Sequence, residues 1–174
     1  MIIETERLIL RQLTLEDSAD LFCIHSNPKT MEFMAKDSNS VEEMSGLIQK
    51  HIEKYYNIYG FGLWATILKE NNILIGRCGL IYEEIEGSKD LELVYLIDCD
   101  YWGKGFAKEA AEAIIKVGFE RFKFNRIIAI ILPENRNSIR LAEKLGMTYE
   151  REIANYKDFG KVLLYAINSK PMQT

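Results

Sequence analysis

A glycine-rich turn is the feature of this sequence whose residue types most clearly suit a chemical task. Gly103, Lys104 and Gly105 stand between a short apolar stretch and a long helical pattern. The start of a helix leaves backbone N–H groups without partners, and the helix dipole favours negative charge there. The turn therefore predicts a phosphate-binding site, with a plain connection as the alternative. It is not a P-loop, and Lys108 stands where the dinucleotide fingerprint needs its third glycine.

Glu92 is a carboxylate within the apolar stretch 91–97, which reads LELVYLI. If this stretch is a strand with strict alternation, Glu92 shares a face with Val94 and Leu96. Apolar neighbours raise the pKa of a carboxyl group and suit it to act as a general base. An ordinary solvated residue at a strand end is the alternative that the residues leave open.

Four consecutive elements must position these groups. The β-branched and aromatic residues of 91–97 predict a strand, and apolar residues spaced by three and four up to Phe122 predict the helix that follows the turn. The apolar stretch 126–132 predicts a second strand, which should be parallel to the first because a helix connects them. A short helix over 135–145 follows, with Gly146 as its stop.

The rest of the chain divides into further strands and helices. Strands are expected at 7–12, 61–68, 73–82, 148–156 and 161–167. Helices are expected from Thr14 through Ile24, from Asn27-Pro28 and over 40–59, and a polar loop is expected over 83–90. This order predicts an α/β (α+β) protein with a mixed, mostly antiparallel sheet of six to seven strands and helices on both faces. A single domain over residues 1–174 is expected.

The composition of the chain limits the classes of partner that it is expected to bind. The net charge of −4 argues against nucleic acid and favours a cationic partner such as an amine. The three cysteines, Cys23, Cys78 and Cys99, are widely spaced and predict neither disulfides nor a metal site. Without a signal-like segment or the ~20 apolar residues of a membrane span, the chain is expected to be cytoplasmic with no membrane partner.

Three motifs together are similar to the GNAT superfamily of acetyl-CoA-dependent N-acetyltransferases. They are the stretches 92–97, 101–107 and 133–138; the stretches 5–11 and 143–147 resemble the branch that includes the ribosomal-protein N-terminal acetyltransferases. The resemblance covers nearly the whole chain. It implies a splayed sheet with the pantetheine arm of the cofactor between two parallel strands. The superfamily has Gln or Arg where this chain has Asp100, a position at which the branch often has an acid.

The resemblance implies direct acetyl transfer from acetyl-CoA to an amine in a ternary complex. The acceptor would be a protein N-terminus or a small amine. Glu92 would be the base, and Ser138 the acid, because Ala142 stands where many members have a tyrosine. Tyr156 and Tyr165 are weaker alternatives for the acid, and Ser138 as a plain first-turn serine is another.

The resemblance also implies the residues that hold the cofactor. Backbone N–H groups of Leu96 and Ile97 would bind the pantetheine and thioester, and Asn135 would reach the cofactor or only cap its helix. The pyrophosphate would be bound by Gly103, Lys104, Gly105, Phe106, Ala107 and Lys108. The mechanism requires no metal. A non-catalytic acyl-CoA-binding module remains an alternative function, and a homodimer is left open.

Overall fold

A computed structural model describes residues 1–35 and 38–169. Its strands form one sheet of eight in the order β1-β2-β3-β4-β5-β6-β8-β7. The strands are β1 (Ile2–Glu4), β2 (Leu8–Gln12), β3 (Leu63–Leu68), β4 (Leu74–Ile85), β5 (Ser88–Ile97), β6 (Arg126–Ile131), β7 (Thr148–Tyr156) and β8 (Gly160–Asn168). Among the described residues, β5 and β6 are the parallel pair, and the other neighbours are antiparallel. The predicted mixed, mostly antiparallel α/β class is confirmed.

Five helices accompany the sheet in the described part of the chain. They are α1 (Ser18–Ser26), α2 (Val41–His51), α3 (Asn57–Tyr59), α4 (Phe106–Glu120) and α5 (Arg136–Lys144). A π-helical segment, Ile52–Tyr56, joins α2 to α3, so the helical path runs from the Ser40 cap to Gly60, whose φ of +73° ends it. None of these helices is long and apolar enough to cross a membrane.

Helix α4 lies close against the centre of the sheet. Ala110, Ala111 and Ile114 on its inner face are fully buried. A Cβ added at Gly118 would lie 3.0 Å from side-chain atoms of both Leu80 and Ile127, so a larger residue there would push the helix away. Because β5, α4 and β6 pack this closely, the start of α4 is held beside the end of β5.

Three local predictions differ from the structure. The strand β1 adds an eighth member to the sheet, and its three residues are too few to show alternation. The predicted polar loop 83–90 is a hairpin, in which Glu86 and Gly87, with φ of +50° and +83°, form a tight turn between β4 and β5. The predicted helix at Asn27-Pro28 is wrong: the Asn27 side chain accepts a hydrogen bond from the N–H of Lys29, as a cap would, but residues 28–33 form consecutive turns without a helix.

Candidate active site

The parallel strands β5 and β6 separate and form a fork. They pair at one register position within the described chain, Glu92 opposite Ile128. Beyond it, β5 continues along β4 to Ile97, whereas β6 follows β8. The outer edge of β5 past Glu92 is therefore open, and an extended ligand can lie in the gap. This is the splayed arrangement that the motifs implied.

The direction of the backbone groups along β5 decides which of them face the fork. Asp98 donates its N–H to a β4 carbonyl at 2.8 Å. Because N–H groups alternate along a strand, the N–H of Leu96 also points to β4, and that of Ile97 points to the fork. The Trp102 indole N–H donates to the Ile97 carbonyl at 2.7 Å on this open side. Of the two backbone N–H groups predicted to bind the pantetheine, that of Ile97 thus faces the open edge. The N–H of Leu96 faces β4 and cannot donate into the fork.

Glu92 lies half-buried at the apex of the fork, on the face that it shares with Ile81 and Ile128. Burial raises the pKa of its carboxyl group to about 8, and the negative charge of Glu83 raises it further. Lys157 and a hydrogen bond from the β6 backbone oppose this rise. The expectation of a raised pKa agrees with this geometry, while the role of Glu92 as a base stays a prediction.

A charged bridge closes one side of the opening above Glu92. The Nζ atom of Lys157 lies 2.8 Å from Oε1 of Glu83 and so ties the β7–β8 turn to β4. Lys157 has a φ of +47°, a conformation that is uncommon for residues other than glycine. Burial raises the pKa of neighbouring Tyr156 to about 12, and the charge of Glu92 adds to this. Tyr156, one alternative for the acid, thus lies on the same side as the candidate base.

Ser138 lies across the fork, in the first turn of α5. Its N–H donates to Oδ1 of Asn135 at 3.1 Å, so Asn135 caps the helix, as one of the alternatives expected. Contact of Asn135 with a cofactor stays a prediction. Ala142, one turn further on, is fully buried. Tyr165, another alternative for the acid, is buried on β8 with its ring against Tyr149.

Tyr95 is a site residue that sequence reasoning missed. From β5 its hydroxyl group reaches α5 and donates to the carbonyl oxygen of Ser138 at 3.4 Å. Burial raises the pKa of Tyr95 to about 12, and a hydrogen bond with the Ser138 side chain lowers it. The alternation that places Glu92 with Val94 also places Tyr95 on the opposite face, which was the available signal.

The glycine-rich turn has the geometry of an anion site. Gly103 and Gly105 have φ of +76° and +84°, which favour glycine, and Gly105 is the N-terminal cap of α4. The first N–H to bond within the helix is that of Glu109, to the carbonyl of Gly105 at 3.1 Å. The N–H groups of the three residues before it, Phe106, Ala107 and Lys108, have no partner within the helix and can donate to a phosphate.

The two lysines of the turn are bonded within their own segment. The Nζ atom of Lys104 donates to the carbonyl of Asp100 at 3.2 Å, and that of Lys108 lies 2.6 Å from Glu112. Because both ammonium groups already have partners, the backbone N–H groups are the principal candidates for binding an anion here, and the two ammonium groups add positive potential nearby.

Arg7 connects the start of β2 to this turn, a contact that the sequence did not reveal. Its guanidinium donates to Glu109 at 2.7 Å and to the Lys104 carbonyl at 3.0 Å, and it stacks over the Phe106 ring at 4.5 Å. Glu109 also accepts from Thr5 at 2.6 Å, and these hydrogen bonds lower its pKa against the effect of burial. The clamp holds the first turn of α4 in place. No local pattern signals a contact between residues 102 positions apart.

Asp98, Cys99 and Asp100 bring three potential metal ligands within 4.8 Å of one another. Two of these groups already have structural partners. The Asp98 carboxylate accepts from the N–H of Asp100 at 3.3 Å, and the Cys99 sulfur accepts from the Asn27 amide at 3.2 Å. The cluster is therefore best described as a capped turn that leads from β5 into the glycine-rich loop.

Comparison with known proteins assigns the family. The model of the acetyltransferase (GNAT) domain matches residues 7–148. The chain belongs to the GNAT family. The uncharacterized N-acetyltransferase p20 of Bacillus licheniformis is 34% identical over 159 residues, which is 88% of this chain and 85% of that protein. The predicted superfamily and the predicted N-acetyltransferase enzyme are confirmed.

Further acetyltransferases resemble the chain over most of its length. Spermidine N(1)-acetyltransferase of Escherichia coli K12 is 25% identical over 149 residues, covering 83% of this chain and 74% of that protein. A GNAT acetyltransferase structure from Bacillus anthracis has a TM-score of 0.79 and 29% identity, covering 97% and 98% of the two chains. The ribosomal L7/L12 alpha-N-protein acetyltransferase RimL, solved with coenzyme A, has a TM-score of 0.79 over 97% and 98% of the chains. At 20% identity, that likeness shows a shared fold.

Proposed function

We propose that this GNAT enzyme transfers the acetyl group of acetyl-CoA directly to a primary amine, with both substrates bound at once. The observation that carries the proposal is the fork itself. Its apex holds a carboxyl group with a pKa of about 8, and its open edge leads from Ile97 toward the free N–H groups at the start of α4. The enzyme would work as one cytoplasmic domain.

The donor would lie along the fork. The pyrophosphate accepts hydrogen bonds from the backbone N–H groups at the start of α4, where the helix dipole also stabilises negative charge. The pantetheine arm extends along the open edge of β5, and the N–H of Ile97 donates to it. Acetyl-CoA then supplies the activated acetyl group, and the fork directs its thioester toward Glu92.

Glu92 would remove a proton from the acceptor. An alkyl ammonium has a pKa of ~10 and a protein N-terminus ~8, so either must lose a proton before its nitrogen can attack. A carboxylate whose conjugate acid has a pKa of about 8 is a better match for this task than an ordinary glutamate. Glu92 acts directly or through one water molecule. As the acetyl group leaves sulfur, a hydroxyl group on the Ser138 side of the fork supplies a proton to the thiolate.

The acceptor is a protein N-terminal amine or a small amine. The resemblance to the ribosomal-protein branch supports the first, and the relative that acts on spermidine supports the second. The net charge of −4 favours a cationic acceptor in either case.

Release of CoA from acetyl-CoA across a panel of acceptors tests the proposal. The panel contains peptides with free Ser, Ala and Met N-termini, polyamines, aminoglycosides and free amino acids. Release well above solvent hydrolysis with one class would support the proposal and identify the acceptor. Tight acetyl-CoA binding with no release for any acceptor would count against it and favour an acyl-CoA-binding module.

A further inference from the structure

Among residues 1–35 and 38–169, Tyr95 is the only tyrosine whose hydroxyl group forms a hydrogen bond across the fork to α5. Its strand forms one arm of the fork, and Ser138 belongs to the helix that follows the other arm. Tyr95 is three residues past the apex at Glu92, on the opposite face of β5. The acceptor side and the Tyr95 side are thus separated by the strand.

We infer that Tyr95 is the acid that protonates the sulfur of CoA, and that Ser138 positions its hydroxyl group. The inference rests on the proposed function, since it concerns the same transfer. It revises the role given to Ser138 by resemblance. Ala142, at the place where many GNAT enzymes have a tyrosine, offers no hydroxyl group, so the acid must come from another residue.

The position of Tyr95 fits this step. Tyr95 lies between Ile97 and Glu92 on β5, and its hydroxyl group reaches across the fork to α5, so a thioester bound along the open edge of β5 would lie near it. The hydroxyl proton, which points to the Ser138 carbonyl at 3.4 Å, can rotate toward a sulfur atom in the fork. This hydrogen bond is long, so turning away from it costs little.

The chemistry also favours the phenol. A phenol is a much stronger acid than the aliphatic hydroxyl group of serine, and the thiolate that must be protonated has a pKa of roughly 8.5 for its conjugate thiol. As the C–S bond of the tetrahedral intermediate breaks, its electron pair stays on sulfur. The Tyr95 proton moves to that sulfur, the product leaves as the CoA thiol, and water reprotonates the phenolate.

The groups around Tyr95 keep it protonated before this step. Burial is the main cause of its raised pKa, and Cys78 from β4 and Glu92 from β5 raise it too. Burial also raises the pKa of the Cys78 thiol, which therefore stays neutral. From α5, the Ser138 hydroxyl group acts in the opposite direction and stabilises the phenolate that forms.

Replacement of Tyr95→Phe tests the inference, with Ser138→Ala and the exposed Tyr149→Phe as comparisons. Turnover is measured with the acceptor that the wild-type enzyme uses, and acetyl-CoA affinity by calorimetry. We expect Tyr95→Phe to lower kcat by ~100-fold with little change in acetyl-CoA affinity. Ser138→Ala should lower kcat by less than ~10-fold, and Tyr149→Phe should leave it unchanged.

A second variant tests the same role of Tyr95 with less risk of disturbing the fold. Replacing Tyr95 by trifluorotyrosine, which keeps the ring and has a more acidic hydroxyl group, should move the alkaline limb of the kcat profile to lower pH. If the wild-type enzyme turns over and Tyr95→Phe is equally active, the inference is overturned and the proposed function stands. The same holds if trifluorotyrosine leaves the alkaline limb of the kcat profile at its wild-type pH. Absence of transfer by the wild-type enzyme would instead count against the proposed function.

Discussion

At the scale of single residues, the proposed catalysis depends on how the environment changes the pKa values of two side chains. Glu92 is made more basic by burial and by the nearby charge of Glu83, and Tyr95 is kept protonated by burial. The two groups occupy opposite faces of β5, so a proton can be removed on one side of the strand and supplied on the other. Opposite faces of a strand require an odd difference in residue number, and the difference between Glu92 and Tyr95 is three.

The pH dependence of the reaction should change when the charge of Glu83 is removed. In the proposed mechanism Glu92 acts as a carboxylate, so kcat/KM should rise with pH through a pKa of about 8. Because Glu83 raises that pKa, Glu83→Gln should move the rising limb to lower pH. The exposed Glu84→Gln, whose side chain faces the other side of β4, should leave it in place. An unchanged limb in Glu83→Gln would contradict the electrostatic account of Glu92.

At the scale of elements, the turn between β5 and α4 is the proposed binding site for the pyrophosphate of acetyl-CoA. Its two glycines adopt conformations that residues with a Cβ rarely adopt, and Arg7 and Glu109 hold the following helical turn. The clamp fixes the orientation of the free N–H groups, so the ligand does not have to order them on binding.

Gly105→Ala should therefore impair donor binding more than chemistry. A Cβ at φ of +84° introduces strain of ~1 kcal/mol and turns the first N–H groups of α4 away from the pyrophosphate. We expect KM for acetyl-CoA to rise by ~10-fold with kcat largely kept. Gly46→Ala, in the middle of α2 where no atom lies within 4 Å of the new Cβ, should instead stabilise the protein by ~1 kcal/mol. Equal KM values for the two variants would argue against the turn as the anion site.

Elements with a regular period were predictable from the sequence, and contacts between distant elements were not. The residue pattern of β5 and the spacing of apolar residues in α4 predicted these two elements. The apolar stretch 126–132 after the connecting helix predicted β6 as a parallel strand. The bonds of Tyr95 to Ser138 and of Arg7 to Glu109 depend on how separate elements dock, which periodicity does not encode. The hairpin over 83–90 was missed because its residues are polar, although the turn chemistry of Gly87 was present.

At the scale of the whole molecule, the proposed mechanism brings both substrates to one strand at the fork. Such a site suits direct transfer, since no side chain has to carry the acetyl group. The thiol of Cys78 is fully buried and its pKa is raised by burial, so it is a poor nucleophile.

Steady-state kinetics should therefore show a ternary complex. Double-reciprocal plots of rate against acetyl-CoA at several acceptor concentrations should intersect, whereas a covalent acetyl-enzyme would give parallel lines. Mass spectrometry of the enzyme mixed with acetyl-CoA alone should show no added acetyl group on Cys99 or another residue. Parallel lines together with an acetylated residue would contradict direct transfer.

The most direct test of the account is the activity of Glu92→Gln beside the wild-type enzyme. Glutamine keeps the size of the side chain and removes its ability to accept a proton, so kcat should fall by ~100-fold or more while acetyl-CoA affinity is retained. The matched Glu84→Gln variant should keep full activity. If Glu92→Gln has the same kcat and the same pH profile as the wild-type enzyme, Glu92 is not the base, and the central claim is contradicted.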